Sequence, residues 1–103
     1  MSPAAAEPQR LEAVIYGSVQ GVGFRFHAAR AATRLGIEGW VANEAGGTVR
    51  AVGEADRAAL ELWLQELRAG PSGADVRRVD VVWSSATGAF DGFSVRSGAH
   101  SGD

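Results

Sequence analysis

The segment Tyr16–Phe26, YGSVQGVGFRF, places glycines at 17, 21 and 23 just ahead of Arg25. Upstream, RLEAVIY is β-branched and apolar and reads as a strand; downstream, RFHAARAATRLG is alanine-rich and reads as a helix. Arg25 therefore falls in the first turn of a helix, where the macrodipole is positive and a cation is unfavourable. That placement makes physical sense if an anion binds there. Backbone N–H groups at a helix start lack intrahelical partners, and a glycine-rich turn lets them converge on one anion without Cβ interference. A phosphoryl group so held faces a guanidinium whose planar fork can bind two of its oxygens. The other reading of the same residues is a tight strand-to-helix turn with a solvated arginine. Two familiar phosphate loops are ruled out. The segment lacks the Gly-Lys-Ser/Thr ending of the nucleotide P-loop, and G-x-G-x-x-G fails because Phe26 stands where the third glycine belongs.

The elements that must position this turn are legible along the chain. Strands are expected at 11–17, 37–43, 48–53, 76–84 and, briefly, 92–96, with helices at 24–36 and 54–70. The second helix is the clearest, because Leu60, Trp63, Leu64 and Leu67 recur at i, i+3, i+4 and i+7. Glu54 and Asp56 are expected in its first turn and Arg68 in its last, with Gly70-Pro71 ending it. The order β-α-β-β-α-β is a pair of split β-α-β units, which predicts a ferredoxin-like α/β (α+β) sandwich. Its sheet is expected to be antiparallel, with two helices on one face and a short fifth strand at the C-terminal end. Residues 11–97 form the domain, 1–10 a disordered leader and 98–103 a disordered Gly/Ser tail. Trp40, Trp63 and Trp83 are expected in the core or half-buried. His27 lies about 200° around the helix from Arg25, which points it away from the turn and toward the surface.

GSVQGVGFR, Gly17 to Arg25, resembles the acylphosphatase signature G-x-V-Q-G-V-x-F-R at every position. A second segment, GWVANEAGGTV, resembles the same family's downstream G-W/F-V-x-N…G-x-V element, with Asn43 at the motif asparagine. The resemblance extends from about Leu11 to Arg96 and implies an enzyme that hydrolyses the carboxyl–phosphate bond of acyl phosphates. It further implies that Arg25 and the backbone amides of Val19, Gln20, Gly21, Val22, Gly23 and Phe24 bind the phosphate, and that Asn43 positions the attacking water. One departure is Ala42, where many relatives carry a longer, often basic side chain. Read without the resemblance, Asn43 ahead of EAGG is a turn former.

The implied chemistry needs little more than these residues. The leaving group is a carboxylate, a weak base that departs without a general acid. Phosphoryl transfer spreads charge over the equatorial oxygens, so catalysis is mostly positioning and electrostatic stabilisation. A carboxamide both donates and accepts hydrogen bonds and brings no negative charge to the phosphate. Inorganic phosphate and sulfate mimic the phosphoryl group and are expected to inhibit. No cofactor and no metal is expected. Cysteine is absent, which excludes disulfides, thiolate metal sites and cysteine nucleophiles.

Composition narrows the remaining classes. The chain of 103 residues is 46% hydrophobic and 21% charged, ordinary for one globular domain. Its formal net charge of −2 argues against a nucleic-acid partner that needs a broad basic surface. An RNA-binding module of the same topology needs aromatics on its central strands, and TVRAVG has none. No apolar run approaches the roughly 20 residues of a membrane span, and no signal peptide is apparent. A cytoplasmic monomer acting on small acyl phosphates is expected, with a non-catalytic anion-binding or regulatory domain as the alternative.

Overall fold

A computed structural model describes residues 7–97. Its elements are β1 (Gln9–Ser18), α1 (Phe24–Arg34), β2 (Glu38–Asn43), β3 (Val49–Ala55), α2 (Arg57–Ala69), β4 (Asp75–Ser85) and β5 (Phe93–Arg96). Every expected element is present, and the ferredoxin-like α+β sandwich is the observed fold. The expected leader falls partly outside the described residues, while Gln9 and Arg10 already belong to β1; the tail at 98–103 lies outside them.

The sheet runs β4-β1-β3-β2-β5. β4, β1, β3 and β2 pair antiparallel, as expected, whereas β5 pairs parallel to β2, so the five-stranded sheet is mixed. The reason is geometric. β4 and β5 occupy opposite edges, so residues 86–92 must cross the sheet, and β5 enters alongside β2 in the same direction.

Alternation along the strands separates the two faces. Leu11, Ala13 and Ile15 of β1, Val41 of β2, and Val49 and Ala51 of β3 are all buried beneath the helices. From above, Phe24, Ala28, Ala31 and Ala32 of α1 and Leu60, Trp63 and Leu67 of α2 close the core. The stripe read from the sequence is thus the buried one, with Leu64 at its partly buried margin. Trp63 joins the layers: its indole Nε1 donates to Ala28 O at 3.0 Å, and its ring meets Phe93 edge-on with centroids 5.5 Å apart. Trp83 lies half-buried at the margin of the helix-covered face beneath the guanidinium of Arg57, whereas Trp40 lies half-buried on the other face beneath that of Arg96.

Glu54 departs from the sequence-based expectation. It lies in β3, not in the first turn of α2, which starts at Arg57 with Asp56 as its cap; the Asp56 side chain accepts from Ala59 N at 2.8 Å. Glu54 is buried on the face away from the helices, where it anchors the crossing segment. Its Oε2 accepts from Thr87 N and Thr87 Oγ1, each at 2.9 Å, and from Arg10 Nε at 3.0 Å, while Oε1 accepts from Gly88 N at 3.0 Å. Burial alone raises this carboxyl's pKa, but the donors of Thr87, Gly88 and Arg10 outweigh it and the net shift is downward. A depressed carboxylate stabilises the fold fully above the ordinary carboxylate pKa, and that contribution is lost as pH falls through the depressed value. Thermal melts from neutral to acid pH should therefore show stability dropping on the acid side. Glu54→Gln should flatten that drop while lowering stability at pH 7 by roughly 1–3 kcal/mol. An unchanged acid limb in the variant would assign the acid sensitivity to other groups.

Candidate active site

The turn between β1 and α1 owes its shape to its glycines. At Gly17, β1 slips register against β4, and a Cβ there would lie 2.0 Å from Asp75 O, so no side chain fits. Gly23, the residue before α1, has φ 80°, in the left-handed region, although the space around it is open. Its requirement is conformational alone, whereas Gly17, at φ 131°, is constrained by conformation and by space.

Gly23 also leaves α1 without a side-chain cap, and no acidic residue lies in its first turn. α2 is capped by Asp56 in the ordinary way, so the contrast lies within one molecule. No cap side chain thus competes at the start of α1, where the positive dipole end favours an anion.

These residues line a cavity of about 90 Å³ together with Asn43. Val19, Gly21, Gly23, Phe24, Arg25 and Asn43, all singled out from the sequence, form its walls with Phe26. Two candidates do not line it. Val22 is partly buried and packs against the core. Gln20 turns its side chain to the β2–β3 connection, where Nε2 donates to Glu44 O and Thr48 O, both at 2.8 Å. This clamp ties the glycine turn to the hairpin that carries Asn43. The side chain of Gln20 is therefore structural, and only its backbone N–H remains a candidate for the anion.

Asn43 ends β2 opposite Val49, on the helix-covered face that Val41 also occupies, and is 7% exposed. A turn former that merely faced solvent would not be buried at the end of the core. Ala42, by strand alternation, faces the opposite side, paired with Arg50 and Arg96, and does not line the cavity.

Arg25 is half-buried, and its Nη1 donates to Arg96 O at 2.6 Å. β5 thus orients the guanidinium from 71 residues away in sequence. No motif marks this contact, because a backbone carbonyl carries no residue-type signature. Phe26 could have been flagged: it falls off the stripe of Phe24, Ala28, Ala31 and Ala32 and is 64% exposed, unusual for a phenylalanine. His27 does point away from the cavity, but α2 lies on that side. Its side chain is 19% exposed, with Nε2 3.1 Å from Glu66 O and 3.5 Å from Glu66 Oε1, so it is an interhelical residue and not a surface one.

Arg25 is, among the described residues, the only charged side chain lining the cavity. Among the described residues, no three His, Asp or Glu side chains are grouped as a metal-ligand set.

Comparison with known proteins identifies a family. A family model described as Acylphosphatase matches residues 11–95. An acylphosphatase of Salinibacter ruber is 49% identical over 88 residues, covering 85% of this chain and 93% of that protein. One of Thermococcus kodakarensis is 47% identical over 81 residues, covering 79% and 88%. The crystal structure of acylphosphatase from Bacillus subtilis aligns with a TM-score of 0.83 at 27% identity, covering 85% of this chain and 98% of that one. Fold, motifs and relatives thus agree, and the chain belongs to the acylphosphatase family, hydrolases of the carboxyl–phosphate bond in acyl phosphates.

Proposed function

We propose that Arg25 and the backbone N–H groups of Val19 to Phe24 hold the phosphoryl group of the acyl phosphate, and that Asn43 orients the attacking water. The observation that carries this reading is the convergence of Arg25 and Asn43, from separate elements, on one small cavity at the uncapped end of α1. The water oxygen attacks phosphorus as the bond from phosphorus to the acyl oxygen breaks, and the electron pair of that bond leaves on the carboxylate. An acyl phosphate dianion and water give carboxylate and dihydrogen phosphate, so both water hydrogens end on phosphate and no protein acid is consumed. Charge on the equatorial oxygens is met by the guanidinium and the turn amides, which need no reorganisation when it develops.

Nothing in the site favours a non-catalytic anion-binding role. A working monomer in the cytoplasm fits the remaining features. No helix among the described residues is long and apolar enough to cross a membrane, and Phe26, Leu62 and Val82, the most exposed large apolar side chains, are scattered over α1, α2 and β4. The test is hydrolysis of acetyl phosphate with and without a metal chelator, titrated with inorganic phosphate, on protein sedimenting at the monomer mass of 10.7 kDa. Turnover should persist in chelator, and phosphate should inhibit competitively. Activity lost to chelator and restored by a divalent ion, or purely noncompetitive inhibition, would overturn the mechanism.

A further inference from the structure

The cavity holding Arg25 and Asn43 is small, about 90 Å³, and partly open to solvent. A phosphoryl group held against Arg25 turns its acyl group toward that opening. The acyl group must therefore leave through the mouth of the cavity. Phe26 stands there, and among the described residues it alone is shared with the exposed, largely apolar outer face of α1. That face is formed by Phe26, Ala29, Arg30, Thr33 and Arg34, at i, i+3, i+4, i+7 and i+8. At 1.5 Å per residue, Arg30 lies about 6 Å beyond Phe26 along the helix, within reach of a modest acyl group. Its aliphatic stem and that of Arg34, whose Nη2 lies 3.5 Å from Glu66 Oε2, extend the apolar surface.

From this continuity we infer that Phe26 is a specificity-determining residue for the acyl group, and that the exposed α1 face beside it is the subsite for apolar, ring-sized acyl phosphates. A phenylalanine 64% exposed to water gains from being covered, and a substrate whose carboxyl carbon sits at the cavity mouth covers it. Acetyl phosphate is too short to reach beyond the ring edge. An aromatic acyl group stacks on it. Selectivity thus arises outside the phosphate cradle, from a side chain that takes no part in the chemistry.

The inference rests on the assignment of the Arg25 cavity to phosphate, and the experiment keeps the two apart. kcat/KM is measured for acetyl, butanoyl and benzoyl phosphate in the parent enzyme, Phe26→Ala, Phe26→Leu and the control Leu62→Ala, together with the inhibition constant for inorganic phosphate in these and in Arg25→Ala. Phe26→Ala should lower the benzoyl-to-acetyl ratio of kcat/KM by about 3–10-fold, the range expected for one aromatic contact. Phe26→Leu should retain an intermediate ratio, and Leu62→Ala, an exposed apolar truncation on α2, should leave it at the parent value. The phosphate inhibition constant should stay within about twofold, because the ring does not belong to the cradle. An unchanged ratio in Phe26→Ala overturns the inference, as does a parallel loss for all three substrates accompanied by weakened phosphate inhibition. Phosphate inhibition that does not depend on Arg25 would instead overturn the cradle assignment, whatever the acyl ratios show.

Discussion

Arg25→Ala should lose at least ~10²-fold in kcat/KM toward acetyl phosphate, with KM raised and kcat lowered together. Both parameters should move if, as proposed, the guanidinium meets phosphate oxygens in the bound substrate and meets them more strongly as charge develops in the transition state. Arg25→Lys should recover little, since a point charge cannot reproduce a planar fork held against Arg96 O. The effect on stability should be small and of mixed sign. Removing a cation from the first turn of α1 relieves an unfavourable dipole interaction worth roughly 0.3–1 kcal/mol. Losing the hydrogen bond to Arg96 O costs about as much. Steady-state kinetics with a parallel thermal melt separates these effects. A folded Arg25→Ala enzyme with near-parent kcat/KM would remove Arg25 from the mechanism, and a melt collapsing along with activity would make it a structural residue.

Asn43→Ala should divide the parameters differently. If the carboxamide orients water and does not hold phosphate, kcat should fall by ~10²-fold or more, the scale on which lost positioning of a reacting group is felt. The inhibition constant for inorganic phosphate should hardly move. β2 should survive, because Asn43 pairs with Val49 through the backbone and that pairing does not depend on the side chain. Asn43→Asp is nearly isosteric yet should also be poor, because it sets a negative charge beside a dianionic substrate. Measuring kcat, KM and phosphate inhibition in each variant is decisive. Near-normal kcat in Asn43→Ala would leave the residue as a turn former. Loss of phosphate inhibition as complete as in Arg25→Ala would move it into the anion cradle.

The local sequence was sufficient wherever local rules operate. Apolar residues spaced at i, i+3, i+4 and i+7 must be buried on one side of a helix, so Leu60, Trp63 and Leu67 identified α2 and its buried face before any coordinates. Backbone stereochemistry is equally local, so the glycines ahead of Arg25 announced a turn delivering N–H groups to a helix start. A cation in that unfavourable place was legible as a mark of a missing anion, because the dipole argument needs only the residue and its position. Where two strands and a connection intervene, no such rule applies. Glu54 was misassigned to α2 because an acidic residue near a helix start is favourable wherever it is found. Its true role depends on Thr87 and Gly88, more than thirty residues later, crossing the sheet above it. Likewise the direction of β5 follows from which edge its connection reaches, and the support that Arg96 O gives Arg25 follows from that direction. The exposure of Phe26 at the cavity mouth and the burial of His27 against α2 were settled by how the helices pack. Periodicity records how much of an element is covered, but not which neighbour covers it. The glycine turn and its arginine were therefore written in the chain, while the orientation of that arginine and the exposure of Phe26 came from tertiary contacts that residue types do not encode.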